Sequence, residues 1–255
     1  MPSLPIRELM LAYNMYEVLL NGVVVFFCCY GLFWHPTQPF WGGTVDNSAA
    51  GHMIAYGTWL HYVSKYVECL DTLFFVLRRN FRFLSPLHCW HHAIMSWPWF
   101  CAVAYACGGD TWFGGALNSG IHVLMYTYYA LKVARNPITK HLQMGMTVLQ
   151  LIQFVAGFAH SVYLLLLPKP VYPQWITTME LLIMVNMLVM FGQFFHSTYI
   201  AKKEKQKDGE AMGGGSGEMK TVGEDEEHTA RPLSASREVS SSVRSRRHPR
   251  TARVD

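Results

Sequence analysis

His88, His91 and His92 stand at i, i+3 and i+4, so any helix that carries them presents all three rings on one face. Pro86 opens this stretch and a mostly apolar run follows as far as Cys107, long enough to cross a bilayer, which takes about 20 residues. Imidazoles on a membrane helix are costly unless they meet a partner or a wet cavity, so a functional site is the first hypothesis. Imidazoles in such a cluster suit metal ligation or nucleophilic and acid–base work. Cys89 is a rival nucleophile in the same run, about 60° beyond His92 on a helical wheel and so at the edge of the imidazole arc.

Three further polar stripes have helical spacing. Lys65, Glu68, Asp71 and Thr72 stand at i, i+3, i+6 and i+7. Each charge costs about 2.5–3.5 kcal/mol at the centre of an inserted helix, which pairing or water must offset. A structural ion pair from Lys65 to either carboxylate is the plain alternative to a site. Asn118, His122, Met125, Tyr126 and Tyr129 form a second stripe, with Tyr128 beside it; tyrosines near a helix end also serve as interface anchors. Thr147, Gln150 and Gln153 form the third, and hydrogen bonds between helices account for them equally well. Tyr13, Asn14 and Glu17, and separately Glu180, Asn186 and Gln193, are weaker single signals, while His160 and His196 stand singly.

The elements that must position these stripes are membrane helices. The 255 residues are 51% hydrophobic and only 15% charged, and many of the charges follow residue 201, so the first two hundred residues are more apolar still. That excludes a soluble domain and predicts an all-α polytopic membrane protein with a polar tail. Six helices are expected, at about 9–31, 53–77, 86–107, 111–131, 141–167 and 174–200, separated by Pro- and Gly-marked loops. Arg78, Arg79 and Arg82, then Lys132, Arg135 and Lys140, then Lys202, Lys203, Lys205 and Lys207 all fall on one side if both termini are cytosolic; the intervening loops carry only Lys169. Residues 1–201 form the transmembrane domain, and 202–255, rich in Gly, Ser, Glu, Lys and Arg, are expected to be a disordered cytosolic tail. The six cysteines show no CxxC spacing and read as packing residues. No nucleic-acid partner is expected.

In this order the stripes resemble the motifs of the very-long-chain fatty acid elongase (ELO) family. Lys65, Glu68, Asp71 and Thr72 match its Lys-x-x-Glu-x-x-Asp-Thr, and His88, His91 and His92 match its His-x-x-His-His. Asn118, His122, Met125, Tyr126, Tyr128 and Tyr129 match its Asn-x-x-x-His-x-x-Met-Tyr-x-Tyr-Tyr, and Thr147, Gln150 and Gln153 match its Thr-x-x-Gln-x-x-Gln. Tyr13-Asn14 resembles a further element, and the likeness covers about residues 5–205. Each motif is weak alone; four in register are specific. Family members usually have a seventh helix ahead of the Tyr-Asn element, and this chain reads as a shorter form that keeps the six barrel helices.

The resemblance implies a barrel around a narrow acyl tunnel in the endoplasmic reticulum membrane. It implies condensation of a long-chain acyl-CoA with malonyl-CoA to 3-oxoacyl-CoA, carbon dioxide and CoA, with no cofactor and no metal. His91 would carry the acyl group, His122 would face it, and His88 and His92 would orient them. Lys65, Glu68, Asp71, Thr72, Asn118, Tyr126, Tyr129, Gln150 and Gln153 would bind substrate. A homodimer and the other enzymes of the elongation cycle are the expected protein partners, with membrane lipid around them. Rival readings are a histidine-box desaturase or hydroxylase, which needs a second His box that this chain lacks, a transporter or receptor, and a catalytically inactive elongase-like protein.

Overall fold

The computed structural model describes residues 6–34 and 39–204, the side chain of Arg82 excepted. Its elements are α1 Ile6–Phe33, α2 Ala49–Val67, α3 Leu70–Leu77, α4 Pro86–Tyr105, α5 Thr111–Val133, α6 Thr139–Leu166 and α7 Gln174–Phe195, with a short 3-10 turn at Phe81–Phe83. No strand occurs among the described residues. The last helix runs on through a π turn at His196–Ile200 as far as Glu204. Residues 205–255, most of the expected tail, lie outside the described residues.

Five of the six expected helices are continuous. The second, expected at 53–77, begins earlier and is realised as α2 and α3 in sequence. Glu68 and Cys69 keep right-handed dihedrals, but the Cys69 and Asp71 amides bond to Tyr66 and Glu68, three residues back rather than four. At the same place the Cys69 thiol donates to the Lys65 carbonyl, 3.5 Å away, which the Cys69 amide would take in an unbroken helix. The tightened turn falls between Glu68 and Asp71, both residues of the first polar stripe.

Helix ends are set by short-range signals. Ser85 caps α4, its hydroxyl accepting the His88 amide at 3.1 Å, and Pro86 occupies the first turn, where its missing N–H costs nothing. The turn that carries the first histidine is therefore fixed by its own cap. α3 and α5 both end with an arginine in the left-handed region, Arg79 and Arg135, and in each case an i to i−5 amide bond closes the end: Asn80 to Phe75 and Asn136 to Leu131.

α1 packs on α2 and α5. Contacts then run from α2 to α4, α4 to α7, α7 to α6, α6 to α5 and back from α5 to α2. Val24, Cys28, Leu32, Ile54 and Trp112 form one apolar cluster where α1, α2 and α5 meet; Met95, Phe154, Ile183 and Met187 form another among α4, α6 and α7. Ile6–Phe33, Thr139–Leu166 and Gln174–Glu204 are long and apolar enough to cross a membrane. α4 and α5, of 20 and 23 residues, have similar length. Together with α2–α3 they carry the histidines, the lysine and two carboxylates of the stripes, which lower their hydropathy.

The basic segments gather at one end. The Arg7 guanidinium reaches the Val133 carbonyl at 3.3 Å, Arg78 lies 3.8 Å from the Met10 sulfur, and the Lys132 ammonium stands 5.7 Å from the Phe83 ring. At the other end the first loop is tied to the α4–α5 turn by the Asp110 carboxylate, which accepts the Gly42 and Gly43 amides at 2.9 and 3.3 Å.

The α1–α2 contact depends on glycine. A Cβ on Gly57 would lie 2.8 Å from the Cys28 sulfur and 3.2 Å from the Cys28 amide nitrogen, so backbones approach here as small residues allow in membrane interfaces. Gly57→Leu should lower stability by about 1–3 kcal/mol. Gly145→Ala, where nothing lies within 4 Å, should raise it by about 0.5–1 kcal/mol. Thermal unfolding of the purified variants in detergent checks both signs.

Candidate functional site

Glu68 is the most heavily engaged carboxylate among the stripes. Its Oε1 accepts the Lys65 ammonium at 2.7 Å and the Ser64 hydroxyl at 3.2 Å, and the His122 Nδ1 lies 3.1 Å away. Lys65 also donates to Asn118 Oδ1 at 2.9 Å, so the ammonium bridges α2 and α5. Lys65 and Glu68 are only 3% and 1% exposed, so solvent does little to weaken their attraction. The structural ion pair and the polar stripe are thus one object, since the pair also positions the His122 ring.

One turn on, past the tightened segment, Asp71 accepts the Tyr126 hydroxyl at 2.8 Å. The Tyr126 hydroxyl lies 3.4 Å from that of Tyr13, which also reaches the Val67 carbonyl at 3.4 Å. Tyr126 is fully buried, its ring edge-on to Tyr13 and 5.9 Å from His122. α1 thus enters the site through Tyr13. It also brings Glu17, fully buried and held by the Asn21 amide at 3.1 Å.

The histidine face of α4 closes the opposite wall. Thr72 Oγ1 and His88 Nε2 are 2.9 Å apart, tying α3 to α4. The rings of His88 and His92 are 4.3 Å apart and those of His91 and His92 5.3 Å. His91, Asn118 and Gln153 line a cavity enclosed by α4, α5, α6 and α7. His122, the imidazole of α5, is held beside Glu68 and does not line the cavity that His91 lines. From His91 the cavity passes Met95, Trp99, Ala102, Phe154 and Ile183 and ends near Ala106, Asp110, His160 and Tyr172. Fifteen residues along α4 give it a length of roughly 22 Å at 1.5 Å per residue.

The other stripe residues are less central. Tyr129 packs against Tyr126 and Tyr128, with ring centroids 5.9 and 5.7 Å away. Gln150 donates to the Met125 sulfur at 3.6 Å, and Thr147 shares a 3.4 Å contact with Tyr199, so these two link α6 to α5 and to the last turn of the chain's final helix. Cys89 is exposed on α4 and does not line the cavity. Among the described residues no three His, Cys, Asp or Glu side chains are disposed to hold a metal ion.

Two polar features escape the stripe analysis. His61 is wholly buried, its Nδ1 2.7 Å from the Ser119 hydroxyl and its ring 4.2 Å from Trp99. It sits one turn before Lys65, a spacing that extends the first stripe backward. At the cavity's far end, His160 Nε2 and Asp110 Oδ2 are 2.8 Å apart, and Glu180 Oε1 is 3.7 Å from His160 Nδ1. These three residues come from separate elements and share no sequence period, so only burial brings them together.

Residues 2–207 match the model of the ELO family, described as the GNS1/SUR4 family. The chain is 34% identical to human very long chain fatty acid elongase 4 over 212 residues, 82% of this chain and 67% of that protein. It is 32% identical to mouse very long chain fatty acid elongase 2 over 209 residues, 81% of this chain and 70% of that protein. With rat very long chain fatty acid elongase 7 it shares 35% identity over 162 residues, 61% of this chain and 56% of that protein.

The Lys65–Glu68 arrangement predicts a particular order of stabilities. Lys65→Met leaves a buried carboxylate short of its cation and should cost about 3–5 kcal/mol. Adding Glu68→Leu to that variant should return part of the loss, because it removes the stranded charge. Detergent melting curves give the order: wild type, double variant, single variant. A double variant that melts below the single one would show that the stranded carboxylate is not the source of the loss.

Proposed function

The chain belongs to the ELO (GNS1/SUR4) family, and we propose from this membership that it condenses a long-chain acyl-CoA with malonyl-CoA. The products are a 3-oxoacyl-CoA, CoA and carbon dioxide. The observation that carries the reading is His91 at the head of a long, mostly apolar cavity that α5 also lines through Asn118. An imidazole nitrogen there can meet a thioester carbon while the acyl chain extends away from it along α4.

In the proposed sequence the His91 lone pair attacks the acyl thioester carbonyl, the C–S bond breaks, and CoA leaves as thiolate. The acyl group is held as an acyl-imidazole, a covalent intermediate that divides one hard step into two. Malonyl-CoA then loses carbon dioxide, and the electron pair of the broken C–C bond becomes an enolate. That carbon attacks the acyl carbonyl, the C–N bond breaks, and the pair returns to His91, which takes up a proton from water in place of the one its other ring nitrogen gave to the CoA thiolate. No oxidant, reductant or resident cofactor enters the balance.

The neighbours have definite tasks in this scheme. Glu68 beside Nδ1 of His122 favours the tautomer protonated there, which leaves Nε2 to position or activate the second substrate. Thr72 fixes the His88 ring, and the Asp71–Tyr126–Tyr13 chain offers hydroxyl donors where carbonyl oxygens gain charge. Arg7, Arg78 and Lys132 at the same end suit the phosphates of CoA. The reading places the protein in the endoplasmic reticulum membrane, its basic end cytosolic.

His91→Ala and His122→Ala should each lower condensation by about 10³-fold or more while leaving membrane insertion intact. The assay is membranes expressing the chain, given malonyl-CoA and a panel of saturated and polyunsaturated acyl-CoAs. Acyl-CoA alone should release CoA in a burst from wild type, with an acyl mass retained on His91. Full activity in either variant overturns the role given to that histidine.

A further inference from the structure

The far end of the cavity is built differently from its middle. Between His91 and Ala106 the wall is mostly Met, Trp, Phe, Ile and Ala, but at the end four polar side chains converge: Asp110, His160, Tyr172 and Glu180. An apolar chain end would be received by an apolar floor, and this floor is not one.

The hydrogen bonds there are incomplete in a specific way. Asp110 is satisfied, with the Gly42 and Gly43 amides and His160 Nε2 on its two oxygens. His160 is 2% exposed, and its other nitrogen, Nδ1, faces Glu180 Oε1 at 3.7 Å, an ion-pair distance too long for a hydrogen bond. Tyr172 is 8% exposed; its hydroxyl oxygen faces the Asp110 and Thr111 amides, and its O–H has no acceptor at bonding distance. Burial pushes the Tyr172 phenol above its ordinary range, so the hydroxyl keeps its proton and can donate. Two buried donors, each without an acceptor at hydrogen-bond distance, therefore border the same end of one cavity, where an unmade hydrogen bond costs about 1–3 kcal/mol each.

We propose that this end is a polar subsite for the ω terminus of an acyl chain that bears a hydroxyl group. The ω-hydroxyl donates to the Glu180 carboxylate and accepts from the Tyr172 O–H and the His160 Nδ1–H, filling the gap between them. The proposal rests on the acyl-cavity reading above but concerns the other end of the chain. It adds a substrate class, ω-hydroxyacyl-CoA, to the unsubstituted one.

Binding tests it without condensation. Purified full-length protein in detergent is titrated with palmitoyl-CoA and with ω-hydroxypalmitoyl-CoA, each competing for a fluorescent acyl-CoA probe. The hydroxylated chain should bind about tenfold tighter, the worth of one buried hydrogen bond with its desolvation recovered. Tyr172→Phe, which removes one oxygen and no packing, should bring the affinity ratio close to one; His160→Gln should reduce it as well. Equal affinity in wild type, the result if ordered water alone fills the gap, overturns the proposal. So does a preference that survives Tyr172→Phe, or failure of both chains to bind. A preference in binding with no turnover of either acyl-CoA would instead fault the condensation reading and leave the subsite standing.

Discussion

The Lys65–Glu68 pair is the constraint around which the site is arranged. Two opposite charges lie almost out of reach of water in helices that cross an apolar medium, and each is tolerable only while the other is present. The pair is not isolated. Ser64 and His122 share the same carboxylate oxygen, and Asn118 takes the other side of the ammonium. Because Asn118 and His122 lie on α5, satisfying the charges on α2 docks α2 against α5 in one register. A shift of either helix by a turn would strand a charge, so the electrostatic penalty that makes these residues rare in membranes also makes their geometry unique. The tightened turn after Glu68 belongs to the same arrangement, since it is followed at once by Asp71, whose partner Tyr126 lies one turn beyond His122.

The helices divide the work. α1, α6 and the last helix meet the length and hydropathy of plain membrane spans. α2–α3, α4 and α5 hold the paired charges and the imidazoles, and their polar faces turn on one another. Burial follows this division: Thr58, His61, Ser64, Lys65, Glu68, Asn118, Ser119 and His122 are all buried, while large apolar side chains such as Leu19, Phe26, Ile152, Val155 and Leu182 are exposed on the outside. That inverts the soluble pattern, and it is what a protein solvated by lipid requires.

How much of this is legible in the sequence depends on how many elements a feature spans. The six helical rods are legible because long apolar runs have few other fates, and the stripes because a charge in such a run must be accounted for. The histidine face of α4 needs only the i, i+3, i+4 period. The break at Cys69 is not legible, because it is a change of amide partner from four residues back to three, which no period encodes. The partner of Asp71 is not legible either: Tyr126 is 55 residues away, and its geometry depends on Tyr13 from a third helix. Asp110 shows the limit most clearly. Beside Gly108 and Gly109 it reads as a turn residue, and it does precede α5, but its side chain makes no cap bond there; its carboxylate holds a loop 68 residues earlier and a histidine 50 residues later. Gln150 is the converse case, a polar residue in a motif-like row whose contact here is a methionine sulfur.

The two ends of the cavity differ in charge as well as in chemistry, and this fixes how an elongated anionic ligand can lie in it. Arg7, Arg78 and Lys132 gather at the end where the histidine helix begins. Asp110 and Glu180 lie at the other, where Lys169 is the lone basic residue among the described loop positions. A ligand with a polyanionic head and an apolar tail is favoured head-out at the basic end. In the reverse orientation it would place phosphates against buried carboxylates in a medium that screens poorly. The reacting carbonyl of such a ligand sits next to its head group. Under the proposed function that carbonyl lies at the basic end of the cavity, the end that His91 lines.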